Sequence, residues 1–201
     1  MMANAALETP ASATTSAVKS PIKLAHIVFR TSRFDAMIAW YKKVLNATTA
    51  FANDEIAFIA YDDEHHRVAF IHIPGLAEQP AGIAGLHHVA FTFDSLDTLF
   101  GNYQRLREEG IEAAWPVNHG PTTSLYYSDP DGNQVEFQVD NYDTVEEAGE
   151  YFFTEEFATN TIGVDFDVDA LHARLEAGED ERKLKLRPPS GPRGVDTIPL
   201  R

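Results

Sequence analysis

Two histidines and one glutamate stand where apolar side chains are the rule. His26 lies in Lys23-Leu24-Ala25-His26-Ile27-Val28-Phe29, His88 in Gly85-Leu86-His87-His88-Val89-Ala90-Phe91-Thr92-Phe93, and Glu136 in Gln134-Val135-Glu136-Phe137-Gln138. Each run reads as a buried strand, in which a polar side chain costs free energy unless it is paired or coordinated. Alternation puts His88 on the face of Leu86 and Ala90 and turns His87 to the opposite side. A lone histidine on such a strand is more often a hydrogen-bonded core residue than a ligand. Three polar anomalies of this kind invite a single explanation, a metal held by His26, His88 and Glu136. Two imidazoles and one carboxylate leave coordination positions open, as in non-heme Fe(II) oxygenases, whereas a fourth protein ligand suits a closed Lewis-acid centre. The sequence contains no cysteine, so every metal donor must be nitrogen or oxygen.

The elements that must position these residues form a repeat with an offset of 62 residues. His26 maps to His88, Phe34 to Leu96, Met37 to Leu99, Tyr41 to Tyr103 and Val44 to Leu106. Phe34, Met37, Ile38, Tyr41, Val44 and Leu45 follow the helical period, behind Thr31 or Ser32 as the expected cap. Short β-rich runs follow each helix: 57–61 and 67–73 in the first half, 124–127 and 134–139 in the second. The last strands are offset by 67 residues, so the second half has gained five, most simply in the loop around His119. The expected fold is α+β, with tandem βαβββ modules over 22–80 and 84–142 forming one barrel-like cleft. Alignment of the last strands places Ala69 opposite Glu136, at the fourth inward position of that cleft.

Outside residues 21–142 the patterns differ. Residues 1–20 are rich in Ala, Ser and Thr and read as a disordered arm without a secretory signal. Residues 143–201 read as a C-terminal helical and Pro-rich extension. A capping box at Thr144 and Glu147 opens one helix, a second spans 169–177 before Gly178, and an extended tail follows Arg187. With 31 acidic against 16 basic residues in 201, the net charge of -15 argues against nucleic acid or an anionic membrane as partner. No apolar stretch approaches membrane-spanning length, and a cytoplasmic address follows by default. Open sheet edges and the tail suggest a homodimer or higher homo-oligomer.

Taken with the run Asp129-Pro130-Asp131-Gly132-Asn133-Gln134-Val135-Glu136, the paired modules and strand-borne His26, His88 and Glu136 resemble the vicinal oxygen chelate superfamily. That superfamily includes glyoxalases, fosfomycin and bleomycin resistance proteins and extradiol dioxygenases. Within it, three further features are similar to the type I extradiol enzymes that open catechols and biphenyl-2,3-diols. His65-His66-Arg67-Val68-Ala69-Phe70 resembles a segment whose acid-base histidine maps to His66. Tyr126 falls at the position of an active-site tyrosine, and His119-Gly120 resembles an active-site His-Gly. The resemblance implies Fe(II), or Mn(II) in the same ligands, with a small aromatic diol and O2 as reactants. Strict alternation from Ala69 would turn His65 inward, so His66 requires a bend before the strand. Without the resemblance, His65 and His66 would read as a solvated acidic turn, Tyr126 as core and His119 as an ordinary loop residue. The alternatives are a glyoxalase-like isomerase, against which Ala69 speaks, and a non-enzymatic binding protein of the bleomycin-resistance kind, against which the His-His-Glu set speaks. His72 and His172 read as structural.

Overall fold

A computed structural model describes residues 19–80 and 82–199; the arm expected over 1–20 lies outside these but for its last two residues. The first half runs β1 (Ile27–Thr31), α1 (Phe34–Val44), β2 (Thr48–Ala52), β3 (Ile56–Ala60) and β4 (Val68–His72). The second runs β5 (His88–Thr92), α2 (Leu96–Glu108), β6 (Trp115–Asn118), β7 (Thr122–Ser128) and β8 (Gln134–Asp140). The C-terminal part adds α3 (Val145–Tyr151), α4 (Glu155–Thr159), β9 (Val164–Asp165), α5 (Val168–Glu176) and α6 (Glu181–Leu184).

Each half folds into a mixed sheet of the same order, β1-β4-β3-β2 and β5-β8-β7-β6, and β9 extends the second beyond β6. The β1–β4 and β5–β8 pairs are parallel, which is what a helix inserted between first and last strands requires. Alternation gives each sheet a helix-covered face and an open face, and the two sheets do not close into a barrel. Met37, Tyr41 and Phe70 from the first half join Leu99, Phe100 and Phe137 from the second in one buried cluster.

Several local details depart from the sequence pattern. Neither Thr31 nor Ser32 caps α1: the cap position is Arg33, whose amide donates to Thr31 Oγ1 at 2.8 Å. Ser95 and Thr98 form the capping box of α2, and Thr144 and Glu147 form that of α3. The first strand begins at Ile27, because its parallel partner begins at Val68 and leaves Lys23 and Leu24 with nothing to pair against. The second half is longer in its β6–β7 hairpin. Trp115 pairs with Tyr126 where Phe51 pairs with Phe58, so four extra residues lengthen the paired strands of this hairpin, while the turn 119–121 that carries His119 is no longer than the turn 53–55; the gain expected in the loop around His119 lies in the strands.

Candidate metal centre and catalytic face

On the open face of the second sheet, Glu136 of β8 pairs across to Ala90 of β5 and Tyr126 of β7, with His88 two residues before Ala90. The pleat brings His88, Glu136 and Tyr126 to one side. Glu136 is only 4 % exposed, and His88 Nε2 donates to its Oε2 at 3.0 Å. His119 approaches from the β6–β7 turn, with Nε2 3.9 Å from Glu136 Oε1 and 3.1 Å from the Tyr126 hydroxyl. Burial pushes the Glu136 carboxyl up, but hydrogen bonds from His88 and Ser124 outweigh it and hold the group below its usual range. Burial raises Tyr126, reinforced by the neighbouring Glu136 charge, and keeps its phenol protonated. Desolvation lowers His119 and favours its neutral ring.

His26 and His66 meet on the first sheet, with ring centroids 4.4 Å apart. The 61–67 turn bends so that the His66 ring stacks on Phe58 at 4.7 Å, while the His65 side chain is 71 % exposed beside Glu64. Phe58 pairs with Ala69, so His66 lies over the open face and Ala69 occupies the position that Glu136 holds in the second sheet. Desolvation, with His26 and His65 nearby, lowers the His66 pKa. A pocket of about 260 Å³ next to His26 has Val89, Ala90 and Phe91 of β5 as its far wall.

The structure therefore groups His88, Glu136, His119 and Tyr126 on one sheet and pairs His26 with His66 on the other. Among the described residues, no group of three or more His, Asp or Glu side chains is set to hold a metal ion. The donor chemistry nonetheless fits a divalent cation, because His88 and Glu136 put an imidazole nitrogen and a carboxylate oxygen 3.0 Å apart on one open sheet face. His87 precedes the strand, so alternation does not turn it away; its Nδ1 lies 2.7 Å from that of His88. His72 stacks on Phe34, and His172 bonds Gln104.

Sequence reasoning missed Trp115, which stacks on Tyr126 with centroids 4.9 Å apart and meets His119 edge-on. Its signal was only register, since Trp115 pairs directly with Tyr126. Val117, Ile162 and Ile198 complete an apolar cluster around these rings.

A family model described as the Glyoxalase/Bleomycin resistance protein/Dioxygenase superfamily matches residues 23–137. Two proteins of Rhodococcus globerulus are each 47 % identical to this chain. Biphenyl-2,3-diol 1,2-dioxygenase 2 aligns over 78 % of this chain and 83 % of its own length. Biphenyl-2,3-diol 1,2-dioxygenase 3 aligns over 82 % of this chain and 88 % of its own. Among solved structures, a fosfomycin resistance protein of Listeria monocytogenes complexed with Mn(II) and sulfate superposes with a TM-score of 0.51. It is 17 % identical, and the match covers 66 % of this chain and 99 % of that one, a likeness of fold.

Proposed function

The chain belongs to the Glyoxalase/Bleomycin resistance protein/Dioxygenase superfamily, and from that membership we propose that it acts in the ring-cleaving branch. It is an extradiol dioxygenase, a metal-dependent oxidoreductase that inserts O2 into a catecholic aromatic ring. The observation that carries this is 47 % identity to biphenyl-2,3-diol dioxygenases over about four fifths of the chain.

His26, His88 and Glu136 would hold Fe(II), or Mn(II) in its place. Bound there, the metal supplies open positions for the diol oxygens and O2 and a redox change that zinc lacks. The chain's own residues do the remaining work. Ala69 leaves the fourth position clear. Tyr126 faces Glu136 and hydrogen-bonds the substrate oxygens, with His119 bonded to its hydroxyl and Trp115 stacked behind its ring. His66 takes a proton from a diol hydroxyl and returns it as the ring opens, work suited to an imidazole near neutral pH. Bringing both reactants to one place removes part of the entropic barrier.

No helix among the described residues is long and apolar enough to cross a membrane, and we assign the enzyme to the cytoplasm as a homo-oligomer. The test is anaerobically purified protein mixed with biphenyl-2,3-diol, catechol and substituted catechols in air. A yellow ring-fission product with one O2 consumed per diol is expected. Absence of oxygen uptake with every diol, from iron-loaded protein, would refute the assignment.

A further inference from the structure

The C-terminal extension reaches into the catalytic face through one backbone atom. His119 Nδ1 donates to the carbonyl of Ile162. A carbonyl can only accept, so in the neutral ring the hydrogen resides on Nδ1 and Nε2 carries a bare lone pair. Nε2 then accepts from the Tyr126 hydroxyl, 3.1 Å away.

The surroundings leave that carbonyl little freedom. Asn160 Oδ1 accepts from the amides of Ile162 at 2.9 Å and Gly163 at 2.8 Å, and Asn160 Nδ2 donates to Gly163 O and to Ser190 Oγ. The Arg187 side chain, only 1 % exposed, ties this turn to the hairpin: Nη1 donates to Asn160 O at 2.8 Å and to His119 O at 3.3 Å. Its other nitrogens donate to Glu156. Close approach is possible because Gly163 has φ +124° and no side chain; a Cβ there would lie 2.6 Å from Asn118 O and 3.0 Å from His119 Cα.

We propose that the Asn160–Gly163 turn, latched by Arg187, is a positioning element that sets the tautomer of His119, so that Nε2 always faces Tyr126 as an acceptor. The consequence falls on Tyr126. With its hydrogen committed to His119, its oxygen offers lone pairs to a substrate hydroxyl. This rests on the reading above that Tyr126 addresses the substrate, His119 acting through its hydroxyl. Packing of the extension for stability alone would place no demand on which ring nitrogen is protonated.

The test uses the full-length chain with 15N-labelled histidine, chelator-treated so that no paramagnetic iron remains, with the His119 signals assigned by their loss in His119→Gln. The wild type is expected to show one neutral His119 tautomer, protonated at Nδ1. Gly163→Ala pushes the turn off the hairpin and should add the Nε2-protonated form. After iron loading, its kcat should fall about tenfold or more, while iron content stays at the wild-type value and KM changes less. Arg187→Lys keeps the charge but loses the fork, should lie between the two, and serves if Gly163→Ala does not fold. A wild-type ring protonated at Nε2 would overturn the inference. So would a variant that loses turnover while His119 keeps its tautomer. His119→Gln with wild-type turnover would instead refute the reading of the site, independently of the tautomer result.

Discussion

Replacing Asp129 with alanine should destabilise the fold by about 3 kcal/mol, through a turn remote from any reacting atom. Asp129 is 5 % exposed. Its Oδ1 accepts from the amides of Asp131 at 2.9 Å and Asn133 at 2.7 Å. Its Oδ2 accepts from Asn133 Nδ2 at 2.7 Å and from the Tyr41 hydroxyl at 3.1 Å. Tyr41 is fully buried in α1, so truncation strands its hydroxyl at about 1–3 kcal/mol. The three donors within the turn are partly exposed and recover water, at about 0.5–1 kcal/mol each. Relief from burying a carboxylate, whose pKa burial raises, offsets part of the total. Urea unfolding at pH 7 and fixed protein concentration, followed by circular dichroism, measures the change. In a Tyr41→Phe background no hydroxyl remains to be stranded, so the same truncation should cost about 1–2 kcal/mol less. A loss below about 1 kcal/mol, or equal losses in both backgrounds, would refute the reasoning.

Substitution at the first sheet separates catalysis from metal binding. His66→Phe should retain iron and lose turnover by about 10²–10⁴-fold, while His65→Phe stays near wild type; the reverse pattern in an iron and kcat assay would reassign the role to His65. A pH series addresses the Asp165–Arg193 pair beside Trp115. Burial raises the Asp165 carboxyl, but hydrogen bonds from Arg193 and Trp115 prevail and hold it below the usual range. Its stabilising contribution is therefore present above about pH 4 and is lost as pH falls through the folded-state value. Arg193→Leu should lower the urea midpoint at pH 7 and draw closer to wild type as pH falls below about 4, and a gap independent of pH would count against the pairing.

Much of the catalytic face was legible because strand alternation and the 62-residue repeat are local and periodic. Glu136 and His88 had to share the face opposite Val135 and Phe137, and they do. Ala69 fell opposite Glu136 for the same reason. His26 was read as lying within a strand because Leu24 and Ala25 extend the apolar run; the strand starts later because pairing with Val68, a contact 41 residues away, decides where it begins. The acidic residues 62–64 signal a turn but not which histidine it directs inward, and the bend turns His66 rather than His65 toward Phe58. The least legible contacts come from the extension. The Ile162 carbonyl carries no residue-type signature, and Arg187 sits in a Pro-rich stretch that reads as tail, although its guanidinium is the latch on the His119 hairpin.

The central claim is that His26, His88 and Glu136 act together although they lie on two sheets. Its most direct test is iron content per chain, with ring cleavage of biphenyl-2,3-diol measured on the same samples, for anaerobically purified wild type, His26→Ala, His88→Ala and Glu136→Ala. The account predicts about one iron per chain in the wild type and loss of both iron and turnover in each variant, because two ligands hold Fe(II) poorly against water. A His26→Ala protein that keeps its iron and opens the ring at the wild-type rate would contradict it.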